Sequence, residues 1–284
     1  MSSSSNNIIL NRMFTQYTFG ELVKRHTNNT YCAIVKRYIK DGDVGNNAQV
    51  ISKIYKYMSK NYRNEYFYQN TLLNKLLLGR HSLNTTTALT QIPIAKSKAD
   101  FVMINGKAVV YEIKTELDSF ERLENQIADY YKAFNHVCVV TCEQNYNKLN
   151  DLLQDSSVGI CILTDRNTLQ FRKNPEADNS KLSYQALFKV LRKQEFENIL
   201  KLYYGRLPKA TPAFYYDKCF GMIEQIPMEI LYSMVLKQLK NRNVIVQEYY
   251  KGVPYELKSL MYFYNASNKD YVNLSDFLND KFRG

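Results

Sequence analysis

The sequence predicts an α/β protein, with a compact α/β centre over residues 61–175, an N-terminal helical region over 1–60 and a mainly helical C-terminal region over 176–284. Three observations carry this prediction. The 284-residue chain is 45% hydrophobic and 23% charged, a balance that suits a folded chain with a substantial core. Apolar residues recur at helical spacing before residue 78 and again after 182. Between those stretches the period shortens to two, in short runs separated by turn residues.

The elements follow in order. Residues 1–14 are polar and read as loose. Thr18 to Tyr38 reads as one or two helices broken at Asn28–Thr30, and KDGDVGNN at 40–47 as a turn or exposed loop. Ala48 to Met58 and Asn64 to Leu78 are further helices, the second with Tyr66, Leu72, Leu73, Leu76 and Leu77 for an apolar face. Ala88–Ile94, Phe101–Ile104 and Ala108–Ile113 are strands, and Asn105-Gly106 suits a tight reversal between the last two. Ser119 caps a helix running to about Ala133. His136–Thr141 is a strand, Tyr146–Leu153 a short helix, Val158–Leu163 a strand and Thr168–Phe171 an edge strand. Leu182–Tyr204 reads as one long amphipathic helix, Tyr216–Ile223 and Met228–Lys240 as two more, Val244–Tyr249 as a strand, and Leu257–Tyr264 as a final helical stretch.

Composition narrows the function classes. Against 27 Asp and Glu stand 38 Lys and Arg, a net charge of +11, which favours a polyanionic partner without separating DNA from RNA or an anionic surface. The 24 tyrosines, with no tryptophan, either serve interfaces and base stacking or reflect an AT-rich coding genome. The five cysteines lack paired zinc-ribbon spacing, and Cys138 and Cys161 fall inside strand runs as reduced core thiols. The start, MSSSSNN, has no basic segment leading into an apolar signal core, and no run of about 18 apolar residues occurs, so a cytoplasmic protein with no membrane partner is expected. No Walker motif is present.

The chemistry concentrates in KADFVMINGKAVVYEIKTELDSF, residues 98–120, where Asp100, Glu112 and Lys114 interrupt otherwise apolar strands. Glu112 and Lys114 are two apart and leave one face of their strand, while Tyr111 and Ile113 leave the other. A hairpin through Asn105-Gly106 brings the preceding strand alongside, and a suitable twist or bulge lets Asp100 converge with Glu112. Two hard carboxylates suit Mg2+ or Mn2+, an ion able to acidify a water and offset charge on a phosphate, while Lys114 can orient that water or stabilise developing charge. The competing readings are acids at a strand end or solvent face, and a structural Glu112–Lys114 ion pair.

Asp100, eleven intervening residues and then Glu112-Ile113-Lys114 resemble the Asp and Glu-x-Lys signature of the restriction-endonuclease-like PD-(D/E)xK nuclease superfamily. Gln126 and Tyr130 in QIADY resemble the Gln-x-x-x-Tyr element of its RecB-like branch. More locally, LLLGRHS and ADFVMINGKAVVYEIKTELDSFERLENQIADYYKAF are similar to the sce7726 family of bacterial and phage proteins. The resemblance implies a restriction-endonuclease-like core with a central mixed sheet flanked by helices, and a metal-dependent nuclease acting on DNA in the cytoplasm, or in the host cytoplasm if phage-encoded. It also implies Asp100, Glu112 and the Ile113 carbonyl as ligands of Mg2+ or Mn2+, Lys114 as catalytic lysine, and Gln126 and Tyr130 as helix residues that organise the site or contact the substrate. Glu65 matches the place of a further acid, or else is a solvent-facing helix residue. Ala99 departs from the family's frequent proline, which shapes the backbone and is no ligand. The alternative function is a catalytically weak or inactive nuclease-fold protein that binds nucleic acid or regulates, and a third class is a structural adaptor with a salt-bridged strand.

Other candidates have plainer readings beside them. Glu116, Asp118, Glu121 and Glu124 either add a second metal site or have plainer roles, Glu121 and Glu124 complementing a helix start and Glu116 and Asp118 standing around the site, and Arg122 either contacts phosphate or pairs with those acids. Gly79 reads as a helix C-cap, with Arg80 and His81 following it. Lys36, Arg37, Lys40, Lys53, Lys56, Lys60 and Arg63, interleaved with Tyr38, Tyr55, Tyr57 and Tyr62, form either a phosphate-binding surface or ordinary solvated helix faces. Lys237, Lys240, Arg242 and Lys251 are candidates for a second basic patch.

Overall fold

The computed structural model describes residues 3–39, 45–79, 83–242 and 247–282. The chain forms two compact units, Met1–Leu83 with Ile245–Gly284, and Asn84–Val244. Of the boundaries read from sequence, 60/61 falls inside a helix and 175/176 inside the second unit. Lys40, Arg80, His81 and the start of the strand expected over Val244–Tyr249 lie outside the described residues.

The first unit is helical. From the N-terminal side it contains α1 (Ser3–Met13), α2 (Gln16–Arg25), α3 (Asn29–Tyr38), α4 (Asn47–Asn61), α5 (Glu65–Leu72) and a π-helical turn at Leu73–Leu78. Within the segment expected to be loose, Ser3–Met13 is helical: Leu10, Met13 and Phe14 are buried, and this packing overrides a polar segment with little helical signature of its own. The α2–α3 break falls at Asn28, whose side chain accepts from the Thr30 and Tyr31 backbone amides at 2.9 and 3.3 Å. An Asn46–Gln49 capping box starts α4. Many tyrosines here are core residues with a bonded tip: Tyr31 is 1% exposed and donates to Asn47 Oδ1 at 2.6 Å.

The second unit is the α/β part. It holds β1 (Thr87–Ile94), β2 (Ser97–Asn105), β3 (Lys107–Ile113), α6 (Leu123–Tyr130), β4 (Val137–Thr141), α7 (Tyr146–Leu153), β5 (Gly159–Leu163) and β6 (Leu169–Lys173). Four helices follow: α8 (Tyr184–Val190), α9 (Lys193–Tyr204), α10 (Pro212–Ile223) and α11 (Met228–Lys240). The strands form one mixed six-stranded sheet in the order β1-β2-β3-β4-β5-β6. The pairs β1–β2, β2–β3 and β5–β6 are antiparallel, while β3–β4 and β4–β5 are parallel. Parallel neighbours need a crossover, and α6 and α7 lie in those connections. Gly106, at φ 71°, turns β2 into β3 where the Asn-Gly pair predicts it.

Leu89, Val102, Val110, Val139 and Ile160 form one core with residues of α6–α11, so α8–α11 belong to the unit that carries the sheet. The expected single helix at Leu182–Tyr204 is two, because Leu191 and Arg192 are extended or bent between α8 and α9. The remaining helices, α12 (Gln247–Lys251), α13 (Lys258–Phe263) and α14 (Asn268–Asn279), group with the N-terminal ones. Residues 247–249 are thus helical rather than part of a strand. Among the described residues no helix is long and apolar enough to cross a membrane. None of the five cysteines is in a disulfide, and Cys138 and Cys161 are buried as expected.

Candidate functional site

The site begins with a break in strand period. Residues Thr87–Thr90 pair with Phe101–Ile104 and Ile92–Ile94 with Ser97–Ala99, leaving Gln91 opposite Asp100 at the point between them. Gln91 is left-handed, at φ 53°, a conformation that costs a non-glycine residue about 1 kcal/mol. The kink changes which face each side chain takes: Val102 and Ile104 share the helix-covered core with Ala99, against simple alternation. Asp100 therefore sits at an irregular, half-buried point of β2.

On β3 the alternation is kept. Val110 belongs to the core shared with α6, so Glu112 and then Lys114 point to the same side. The β2–β3 register pairs Phe101 with Tyr111, and one step further Asp100 faces Glu112. Asp100 Oδ2 accepts from the Ile113 backbone amide at 2.9 Å, a side chain taking a place that a ladder carbonyl would otherwise fill. Lys114 follows the last residue of β3, at the carboxyl end of the parallel strands, where α/β sheets commonly place ligands.

Helix α6 completes the cluster. Gln126 and Tyr130, four residues apart, present one face to β3. Gln126 Nε2 donates to Glu112 Oε1 at 2.6 Å, and Lys114 Nζ donates to Gln126 Oε1 at 2.9 Å. Lys114 Nζ also lies 2.9 Å from Glu112 Oε1. The Tyr130 hydroxyl donates to Glu112 Oε2 at 2.5 Å, with the Lys98 carbonyl at 2.8 Å as its competing acceptor. Glu112 is 1% exposed and Lys114 7%, so two opposite charges are buried at close range and both oxygens of the carboxylate have donors. Burial, reinforced by the negative charge and hydrogen bond of Glu112, pushes the Tyr130 phenol far above its ordinary range. Tyr130 is therefore a permanent donor and not a base.

The turn after Lys114 has supports that sequence reasoning missed. Thr141 Oγ1 donates to the Lys114 carbonyl at 2.6 Å, and Asn145 Nδ2 donates to Thr141 Oγ1 at 2.9 Å. These residues lie 27 and more positions downstream, and a Thr at a strand end followed by a loop Asn gives no local signal of the role. Asp118 accepts from the Thr115 amide and hydroxyl at 2.8 and 2.7 Å, which makes it the anchor of this turn. The helix start expected at Ser119 lies instead at Leu123, because residues 116–122 are spent on that turn.

Asp100, Glu112, Ile113, Lys114, Gln126 and Tyr130 thus all belong to the second unit, on β2, β3 and α6 or directly after. Glu65 is the exposed first residue of α5, in the first unit. Among the described residues no group of three or more His, Cys, Asp and Glu is placed to hold a metal ion. Two carboxylates on neighbouring strands and a backbone carbonyl between Glu112 and Lys114 match in type what Mg2+ or Mn2+ takes from protein, since such ions keep several waters and draw other oxygens from phosphate. Of the second basic patch, Arg242 is withdrawn into an ion pair with Glu195 at 2.6 Å.

A family model described as bacteriophage P4 protein cII matches residues 58–258. No curated protein and no solved structure matches the chain.

Proposed function

The chain belongs to the bacteriophage P4 protein cII family, and from there we propose that it is a divalent-metal-dependent nuclease that hydrolyses DNA phosphodiester bonds. One observation carries the reading: Glu112, Lys114, Gln126 and Tyr130 are joined by hydrogen bonds at the end of β3, facing Asp100 on β2. Sequence resemblance to PD-(D/E)xK nucleases of the RecB-like branch, and to the sce7726 family, supports it. Mg2+ or Mn2+ would be held by Asp100, Glu112 and the Ile113 carbonyl, and when bound supplies an acidified water and charge neutralisation at the attacked phosphate. Lys114 places a fixed positive charge beside that position to stabilise the oxyanion. Gln126 holds Lys114 and Glu112 in register through the two ends of its amide, and Tyr130 donates to the far carboxylate oxygen. A reaction on phage or host DNA places the protein in the cytoplasm.

The test is a panel of linear, circular, single-stranded, double-stranded and branched DNA, with RNA alongside, incubated with Mg2+ or Mn2+. Cleavage of DNA is expected, with a loss of about a hundredfold or more in D100N, E112Q and K114M. These variants keep side chains of similar size, but E112Q and K114M each leave the other residue's buried charge without its counter-ion, so each is checked for folding by circular dichroism before activity is compared; E65A tests the acid on α5. If concentrated protein cuts nothing with either metal, the reading fails.

A second reading, a nuclease fold retained for binding or regulation, draws on the three donors that Glu112 already holds. Lys114 and Gln126 both donate to Oε1 and Tyr130 takes one acceptor position of Oε2, so an ion would reach Glu112 at the remaining position of Oε2 or by exchanging a donor. Thermal melts with Mn2+ separate the two: stabilisation lost in D100N supports the nuclease, and no shift in the wild type favours the regulatory protein.

A further inference from the structure

We propose that the first unit carries, on α3 and α4, a docking surface for the phosphate backbone of duplex DNA, formed by Arg37, Lys53, Lys56 and Lys60. The charge of the protein is concentrated here: residues 1–64 hold ten Lys and Arg against three acids, Glu21, Asp41 and Asp43. Neither α3 nor α4 contains an acidic residue. Lys53, Lys56 and Lys60 are exposed and spaced by three and four, which sets them in one stripe along about 10 Å of helix. The opposite face of α4, with Val50, Ile51, Ile54 and Met58, is buried, so the orientation of the stripe is fixed by the core.

Two tyrosines join this stripe to α3. Tyr38 at the end of α3 and Tyr57 in α4 meet at 4.8 Å between ring centroids, and the Arg37 guanidinium lies 5.8 Å from the Tyr38 ring centre. The hydroxyls of both tyrosines donate to Asn7 Oδ1, at 3.0 and 3.4 Å. Rings turned on each other with tethered tips are poor platforms for unpaired bases, which removes the stacking that single-strand binders use. What the surface offers is a row of exposed cations, suited to a duplex that carries one negative charge per about 1.7 Å of its axis.

The inference concerns binding by the other unit and stands apart from the nuclease reading, because it is measured with chelator present and no divalent metal. Fluorescence anisotropy of the full chain would follow a duplex, and separately a single strand of equal length, over a range of salt concentrations. Expected is tighter binding of the duplex, weakened about tenfold or more in K53Q/K56Q/K60Q, with the salt slope reduced by about two to three. The charge-matched control K201Q/K209Q/K218Q, on exposed sites of the second unit, should bind like the wild type. Equal loss in both triple variants reduces the effect to net charge and overturns the proposal, as does unchanged binding in the α4 variant. Preference for the single strand, or for phosphatidylserine vesicles over duplex, also overturns it. A chain that binds duplex through α4 but cuts nothing leaves this inference standing and removes the nuclease.

Discussion

Glu112 and Lys114 show how narrow the tolerance is at single residues. Each is nearly excluded from water and lies 2.9 Å from the other, so removing one leaves the other without its counter-ion. E112A leaves the lysine buried without its counter-ion, and a loss of about 3–5 kcal/mol in urea unfolding is expected. E112Q keeps a polar group of the same shape and should lose clearly less. An E112A protein as stable as the wild type would mean that Lys114 escapes to solvent. At Tyr130 the expected cost is smaller: Y130F removes the donor to Glu112 Oε2 and should cost about 1–3 kcal/mol by the same measurement.

At the scale of elements, the β1–β2 turn is held to α6 by one carboxylate. Asp129 accepts from the Lys96 amide at 3.2 Å, the Ser97 hydroxyl at 2.8 Å and Lys132 Nζ at 2.7 Å. Burial acts to raise its pKa, but the hydrogen bonds from Lys132, Ser97 and Lys96 outweigh it and hold the carboxyl below its usual value. A carboxyl depressed by folding contributes stability that is fully present above its unfolded pKa, about 3.9, and is lost as pH falls through the folded value. The stability gap between wild type and D129N should therefore be constant near neutrality and shrink in acid, as read by denaturant melts at several pH values. The β2–β3 turn gives a cleaner backbone test. A Cβ on Gly106 meets no atom within 4 Å, so the cost of G106A, about 1 kcal/mol, would come from its φ of 71° alone.

Across the whole second unit, helices far apart in sequence are tied by Arg242 and Glu195. Arg242, just past α11, donates from Nε and Nη2 to the two Glu195 oxygens, each at 2.6 Å, and from Nη2 to the Val190 carbonyl at 2.6 Å. The side chains are 8% and 11% exposed, so this fork links the end of α11 to the α8–α9 junction inside the protein. E195A leaves the guanidinium uncompensated, and a loss of about 3 kcal/mol or more is expected in thermal or urea unfolding. R242A should unfold as readily, while R242K keeps the charge but not the fork and should fall between. Wild-type stability in E195A would show that the pair adds nothing.

Local pattern alone determined much of this protein. Short period-two runs and an Asn-Gly pair located the strands and the β2–β3 turn, and helix spacing placed Gln126 and Tyr130 on one face, because these features depend on backbone sterics and neighbours a few residues away. Parity likewise put Glu112 and Lys114 together. Only the tertiary structure decided the register, Phe101 opposite Tyr111, that sets Asp100 opposite Glu112, and the left-handed Gln91 beside it, a residue with no turn signature. The same holds for helix α1, whose apolar contacts lie elsewhere in the chain, and for Arg242, whose partner is 47 residues away. The deeper distinction concerns Glu112. Sequence offered metal ligand and salt-bridge partner as alternatives, whereas the fold gives both carboxylate oxygens donors, Lys114 and Gln126 at Oε1 and Tyr130 at Oε2. Burial makes an unpartnered carboxylate too costly, so the packing of α6 on β3 supplies those donors, and a one-dimensional pattern carries no measure of burial.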